Sequence, residues 1–342
     1  MNDRVDSSQA VGAEAALLDL YRQMLLLRRF EEAAGRAYTE GKIGGFCHLY
    51  IGQEAVAVGV RAALDPARDY LINGYRDHGH TLAWGTEPEK VMAELYGKAN
   101  GAARGKGGSM HMFDVERHNL GGYGIVGGQI PLAVGIGFAL RYQKRDGVVA
   151  CLFGEAAVNN GAFWESLNMA ALWRLPVVFI CENNRYGMGT AVERSSAVTD
   201  VWRRACAHDI RGELVDGMDA LAVRDAVARA AAECRPEGAK PVLLEARTYR
   251  YRGHSMADPA TYRTRQEVEQ EKKHDPLDVL LGRLRERGVD VGPAALERIE
   301  GEVAGIVQRS LQAADEGPTP DPDVIWTDVY ASSDDPALHR DV

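Results

Sequence analysis

The chain has 342 residues, enough for one large domain or two ordinary ones. Hydrophobic residues make up 46% and charged residues 26%, a globular balance that excludes a disordered or collagen-like chain. With 49 acidic against 40 basic side chains and a formal charge of -9, the chain is a poor match to a phosphate backbone, so no nucleic-acid partner is expected. The longest apolar runs, 148–153 and 176–181, are too short to cross a bilayer, so no membrane partner is expected either. The first residues, MNDRVDSSQAVGAEAALL, have neither the apolar centre of a secretory signal nor the Arg-rich character of a transit peptide. Cys47, Cys151, Cys181, Cys206 and Cys234 show no zinc or redox spacing and read as free thiols of a reducing, cytoplasmic compartment.

In chain order, an apolar stripe of Leu17, Leu18, Tyr21, Met24, Leu25, Leu27 and Phe30 predicts a helix over about 13–38. A second helix is expected over 54–64, ended by Pro66, then a short strand over 70–73 and helices near 78–84 and 87–96. The glycine-rich segment 97–128 is too long for an idle connection, which marks it as functional. The pattern then alternates: helix 129–142, strand 148–153, helix 162–173, strand 177–182, helix 219–234 and strand 241–246. Near-continuous apolar strands between helices predict an α/β fold, a parallel sheet sandwiched by helices. A loop over 247–265 leads to a helical C-terminal portion, about 277–286 and 294–314. Residues 1–14 read as an N-terminal tail and 318–342, opening on PTPDPD, as an extended C-terminal tail.

Gly122-Tyr123-Gly124-Ile125-Val126-Gly127 is a formal GxGxxG match. A dinucleotide fingerprint needs an apolar strand entering its first glycine, and the preceding HMFDVERHNLG does not read as a buried strand. A tight turn before a helix, or a loop that lets another cofactor approach the backbone, fits better. The strand ends are more specific. Strand 148–153 runs into Gly154-Glu155-Ala156-Ala157, and strand 177–182 into Asn183-Asn184-Arg185-Tyr186-Gly187. Ligands of open α/β sheets lie at these carboxyl ends, and a carboxylate beside an amide oxygen is a hard donor set that suits magnesium carrying a diphosphate. Taken singly, Glu155 could instead cap the next helix and Asn184 could make a turn.

Gly154-Glu155 followed 29 positions later by Asn184 resembles the GDG…N motif of thiamine diphosphate enzymes. The stretches GFCHLYIGQ (45–53), GYRDHG (74–79), GKGGSMHMF (105–113), SLNMAALWRLPVVFICENNRYGMGT (166–190) and YRYRGHSMADP (249–259) resemble the alpha subunits of the pyruvate dehydrogenase family, the decarboxylating component of 2-oxo acid dehydrogenase complexes. The resemblance spans roughly 15–330. It implies a thiamine diphosphate-binding domain over 15–317 whose C-terminal part is helical, with thiamine diphosphate and Mg2+ as cofactors. It implies Glu155, Asn184 and the Tyr186 carbonyl as metal ligands, and Tyr75, Arg76 and His254 on or beside the diphosphate. It further implies backbone contacts from Ala156 and Ala157 to the diphosphate and from Gly124 and Val126 to the aminopyrimidine, with His48 facing the substrate and His48 and His254 as the catalytic candidates. No residue here answers to the glutamate that activates the aminopyrimidine. A beta subunit completing an α2β2 heterotetramer is therefore implied, together with a lipoyl-bearing acyltransferase core.

Each residue also has a plainer reading: Arg76 as a solvated loop arginine, His48 as a packed histidine, His111 as packing or support. His78 and His80 lie two apart on a helix and do not read as a metal pair. Tyr262-Arg263-Thr264-Arg265 reads as a solvated face or, by the resemblance, as part of a loop ordering over the cofactor. Two departures stand out: the family usually carries Asp at 155 and Gly at 156. Glu is one methylene longer and Ala restricts the backbone, which leaves open a degenerate, non-catalytic scaffold. Acetoin and branched-chain 2-oxo acid homologues remain alternatives. Cys47-His48 and Tyr75-Arg76-Asp77-His78-Gly79 are of the pyruvate type, so pyruvate is the expected substrate.

Overall fold

The computed structural model describes residues 3–328, and the first side chains described are those from Glu14 onward. Six strands, all parallel, form one sheet: β1 (Tyr70–Gly74), β2 (Asn119–Tyr123), β3 (Val149–Gly154), β4 (Val177–Asn183), β7 (Arg211–Asp216) and β8 (Val242–Arg247), in the order β2-β1-β3-β4-β8-β7. A two-residue hairpin, β5 (Tyr186–Gly187) with β6 (Thr190–Ala191), follows β4. The central strands β3 and β4 are buried along nearly their whole length, as expected where helices cover both faces.

The helices are α1 (Asp3–Thr39), α2 (Glu54–Ala63), α3 (His78–Trp84), α4 (Pro88–Leu95), α5 (Gln129–Tyr142), α6 (Gly161–Leu172), α7 (Val192–Ser195), α8 (Ala220–Cys234), α9 (Arg265–Glu271), α10 (Pro276–Glu286) and α11 (Pro293–Glu316). Side-chain caps fix several starts: Asn160 Oδ1 accepts from Ala162 N–H before α6, and Asp219 Oδ1 from Leu221 and Ala222 N–H before α8. On one face of the sheet, α5 and α6 bury Ile130, Val134, Phe163 and Leu167 against Phe153 and Phe179. On the other, α2 and α8 bury Val56, Val60, Val223 and Val227 against Leu152 and Ile180. A third cluster lies outside this sandwich, where α1 packs with α4, α10 and α11 through Met24, Leu27, Phe30, Leu280 and Val303. Arg28 joins these layers, with Nε 2.6 Å from Glu54 Oε1 at the start of α2 and Nη1 3.1 Å from Asp275 Oδ2 at the cap of α10.

The expected α/β architecture and its helical C-terminal portion are therefore present, but two strands of the main sheet, and the short β5–β6 hairpin, had escaped the sequence. The segment before the glycine motif, read above as unable to form a buried strand, ends in β2. Its polar first residue is fully buried because its side chain is used: Asn119 Oδ1 accepts from Gly121 N–H at 3.1 Å and Nδ2 donates to Thr81 Oγ1 at 3.3 Å. The glycine motif thus does join a strand to a helix. The second missed strand, β7, is the opposite edge, where RGELVD needs to bury only Val215. Helix α1 reaches back to Asp3, into the stretch read as a tail, and the C-terminal stretch holds a 3-10 turn over Pro322–Trp326; residues 329–342 lie outside the described residues.

Helices α2 and α8 approach closely because Gly59 lacks a side chain. A Cβ there would lie 2.7 Å from Val223 Cβ and 2.8 Å from the Ala220 carbonyl. Gly59→Ala is therefore expected to destabilise by about 1–3 kcal/mol through overpacking, despite alanine's better helix propensity. Chemical denaturation decides, and a stability at or above wild type would contradict the crossing.

Candidate functional site

The sheet order reverses between β1 and β3, since the chain runs outward from β1 to β2 and the other way from β3 to β4. Such a switch point leaves a crevice beyond the carboxyl ends of the strands. A cavity of about 290 Å³ occupies it, lined by Gly74, Tyr75 and Arg76 after β1, Tyr123 and Val126 after β2, Glu155, Ala156 and Ala157 after β3, and Asn184 and Tyr186 after β4. Arg250 and His254, from the loop after β8, complete the wall with Gln53 at the start of α2. A second cavity of about 550 Å³ adjoins it, sharing Tyr75, Val126, Met188 and His254 and adding His48, Gly124 and Phe46. Every residue given a cofactor, metal or catalytic role in the sequence analysis lines one cavity or the other. Gly124 and His48 lie only on the second.

Two cations, Arg76 and Arg250, are the main electrostatic feature. Arg76 donates from Nη1 to the Leu49 carbonyl and from Nη2 to the His254 carbonyl, each at 2.7 Å. Arg250, 1% exposed, donates from Nη1 to Asn184 Oδ1 at 3.2 Å and to the Tyr186 carbonyl at 3.1 Å. Its Nη2 donates to the Met188 carbonyl at 3.1 Å. Among the described residues neither arginine is hydrogen-bonded to a carboxylate. Burial, and next the neighbouring Arg250 charge, push Arg76 down to about 10. Two guanidiniums that face one cavity, neither hydrogen-bonded to a carboxylate, suit it to an anion with several acceptor oxygens.

Beside them lies a set of hard oxygens. Glu155 is 3% exposed; Oε2 accepts from Asn184 N–H at 3.3 Å, while Oε1 has no partner. Burial raises its pKa against the pull of backbone N–H groups, Arg250 and Arg76. Asn184 Oδ1 and the Tyr186 carbonyl already face a cation, the Arg250 guanidinium. A carboxylate with an idle oxygen, an amide oxygen and a carbonyl oxygen could together hold a divalent hard ion. The described residues contain no cluster of three His, Cys, Asp or Glu side chains suited to a metal, so mixed donors of this kind are what the fold offers.

The departure at Ala156 costs the backbone nothing. The segment Glu155–Asn159 is a 3-10 turn, and Ala156 is not among the residues with positive φ. Its methyl fits because position 187 is glycine: a Cβ there would lie 2.6 Å from Ala156 Cβ.

His48 is held by its backbone. Its N–H donates to Ser109 Oγ at 3.0 Å, and Ser109 Oγ lies 2.7 Å from His78 Nε2. His78 Nδ1 lies 3.0 Å from Glu31 Oε2, whose Oε1 accepts from Tyr50 N–H at 2.9 Å. His80 instead meets Glu182, so the two histidines face different partners, as their spacing implied. His111 supports the glycine loop, with Nδ1 3.0 Å from the Gly122 carbonyl. Arg263 is not on a solvated face: it is 9% exposed and its guanidinium grips the carbonyls of Arg250, Tyr251 and Arg252. Sequence reading missed Arg250 and Gln53, although both sit inside motifs quoted above. An arginine between two tyrosines that bury themselves was the available signal for Arg250.

Burial and the Arg76 charge push His48 down to about 3, and the same causes with Arg250 push His254 to about 4, so both imidazoles are neutral at pH 7. Each has an unpartnered Nδ1. The unfolded chain protonates both near 6.5, before the folded one does. Their contribution to stability is present above pH 6.5 and is lost as pH falls toward 4 and 3, by at most about 1.4 kcal/mol per pH unit for each imidazole. Urea unfolding of the ligand-free protein across pH 7 to 4 should show a shallower decline in His254→Gln and His48→Gln. Unchanged slopes would contradict the assignment.

Comparison with known proteins places this geometry. The profile of the family described as "Dehydrogenase E1 component" matches residues 22–323. The chain is 52% identical over 313 residues to a Rhizobium meliloti protein named pyruvate dehydrogenase E1 component subunit alpha, covering 91% of this chain and 89% of that one. The protein of the same name from Zymomonas mobilis is 50% identical over 92% of this chain and 88% of its own length. The mitochondrial one from Schizosaccharomyces pombe is 44% identical over 98% and 81%. With a family match across most of its length and relatives this similar, the chain belongs to the dehydrogenase E1 component family.

Proposed function

We propose that this chain is the alpha subunit of a thiamine diphosphate-dependent 2-oxo acid dehydrogenase that decarboxylates pyruvate and passes the acetyl group to a lipoyl domain. The observation that carries the reading is the cavity at the switch point, where two guanidiniums with no hydrogen-bonded carboxylate face three hard oxygens. That is the complement of a magnesium diphosphate. When bound, thiamine diphosphate supplies a nucleophilic carbon and an electron sink for decarboxylation.

The chain's own residues do the rest. Glu155 Oε1, Asn184 Oδ1 and the Tyr186 carbonyl hold Mg2+, a site for which the Arg250 guanidinium now stands in. Arg76, Tyr75, Arg250, His254 and the backbone of Ala156 and Ala157 receive the diphosphate. The backbone of Gly124 and Val126 meets the aminopyrimidine. His48, neutral at working pH, hydrogen-bonds the substrate carboxylate rather than pairing with it as a cation. An unstrained Ala156 and an idle Glu155 oxygen support a working site over a vestigial one.

A beta subunit completes the site in an α2β2 assembly, with a lipoyl-bearing acyltransferase core as the further partner. Exposed apolar side chains support this: Phe46 and Ile125 near the cavity, and Leu132, Phe138, Tyr142, Leu172 and Trp173 on α5 and α6. The cytoplasm is the compartment that fits five free thiols; no described helix is long and apolar enough to cross a membrane.

Co-purification with the beta subunit, followed by carbon dioxide release from pyruvate and a branched 2-oxo acid and acetaldehyde release from acetoin, tests the function. Pyruvate is expected to lead the branched acid by roughly ten- to two-hundredfold in kcat/KM, the penalty for fitting extra methylenes, and to lead acetoin because acetoin lacks the carboxylate that His48 would bond. A competitor equal to pyruvate would overturn the substrate assignment. For the metal, calorimetry of thiamine diphosphate with Mg2+ should show Glu155→Ala weakened at least about tenfold and Glu155→Asp close to wild type. Equal affinity in Glu155→Ala would reduce Glu155 to a structural residue.

A further inference from the structure

Gln53 is 1% exposed, sits at the start of α2 and lines the smaller cavity. Its side chain makes no capping bond to the helix. Oε1 accepts from Asn184 Nδ2 at 3.1 Å, and Nε2 is buried with no partner. The orientation of both amides follows from the donor inventory. Arginine can only donate, so Asn184 must present its oxygen to Arg250 and its nitrogen to Gln53. Gln53 must then present its oxygen to Asn184, which leaves its nitrogen idle. A buried donor with nothing to give to is costly, and the two guanidiniums facing this cavity call for an anion.

We propose that Gln53 is a further ligand-binding residue of this site: its Nε2 donates to an oxygen of a metal-bound diphosphate while its Oε1 fixes the amide of Asn184 with the oxygen toward the metal. This rests on the reading of the cavity as a magnesium diphosphate site. It adds a residue with two separable actions, a donor to the anion and a lock on a metal ligand. The polarity of the chain is the same whether the cation at Asn184 Oδ1 is the Arg250 guanidinium or a divalent ion, so Gln53 is already set for the ligand.

Two variants separate the actions. Gln53→Glu keeps an acceptor for Asn184 but replaces the donor with a carboxylate facing the anion. Gln53→Met keeps the volume and removes both. The complex with the beta subunit is titrated calorimetrically with inorganic pyrophosphate in the presence of Mg2+, and with thiamine diphosphate. Thermal unfolding without ligand confirms that each variant is folded. Both variants are expected to bind either ligand roughly ten- to one-hundredfold more weakly than wild type, the range for losing a hydrogen bond to a charged group. A Gln53→Glu complex that binds like wild type overturns the donor role, and Gln53→Met binding like wild type overturns the inference entirely. A wild-type complex that binds neither ligand overturns the reading of the cavity itself, so the two failures are told apart.

Discussion

Arg76, half-buried, and Arg250, fully buried, face one cavity with like charge, and the surrounding loops are arranged around that constraint. Neither is hydrogen-bonded to a carboxylate, so each is satisfied by polar oxygens from distant parts of the chain. Arg76 takes carbonyls from Leu49 and His254, 27 and 178 residues away. Arg250 takes an amide oxygen, three carbonyls and the Tyr262 hydroxyl. The loops after β1, β4 and β8 and the segment before α2 are thereby tied to one another at the open edge of the sheet. The arrangement holds the site in shape while leaving both guanidiniums free of any hydrogen-bonded carboxylate, which favours taking up a polyanion.

Burial and these charges together set which histidine chemistry is available. Desolvation first, and then the neighbouring guanidiniums, disfavour an imidazolium, so His48 and His254 stay neutral and can donate or accept a hydrogen bond at physiological pH. His78, further inside, goes the other way. Burial opposes its charge, but the Glu31 carboxylate prevails and raises its pKa. Histidines within one short stretch of space are thus shifted in opposite directions by the charges each faces.

Much of this was legible in the sequence where a local pattern carried the information. Strands β3, β4 and β8 are buried on both faces, so their apolar runs declare them. Edges are less legible: β2 begins on an asparagine whose burial makes sense only with Thr81 beside it, and β7 has a single inward residue. At the site, Glu155 and Asn184 could be found because both lie at strand ends, where parallel sheets place ligands. Arg250 and Gln53 could not be found that way. Their meaning lies in pairings across 66 and 131 residues, and no spacing rule encodes a hydrogen bond that a tertiary fold creates. For the same reason Arg263 reads as one more loop arginine until three carbonyls are seen to converge on it.

The methyl group of Ala156 lies where a side chain at position 187 would begin. The two positions are therefore epistatic. While alanine stands at 156, a side chain at 187 meets a steric barrier; once 156 is glycine, that barrier is gone. The order of substitution then matters: a path that changes 187 first passes through an overpacked intermediate, and one that changes 156 first does not. A departure from the family pattern that is harmless in itself thus narrows the mutational routes by which the hairpin beside the site can be remodelled.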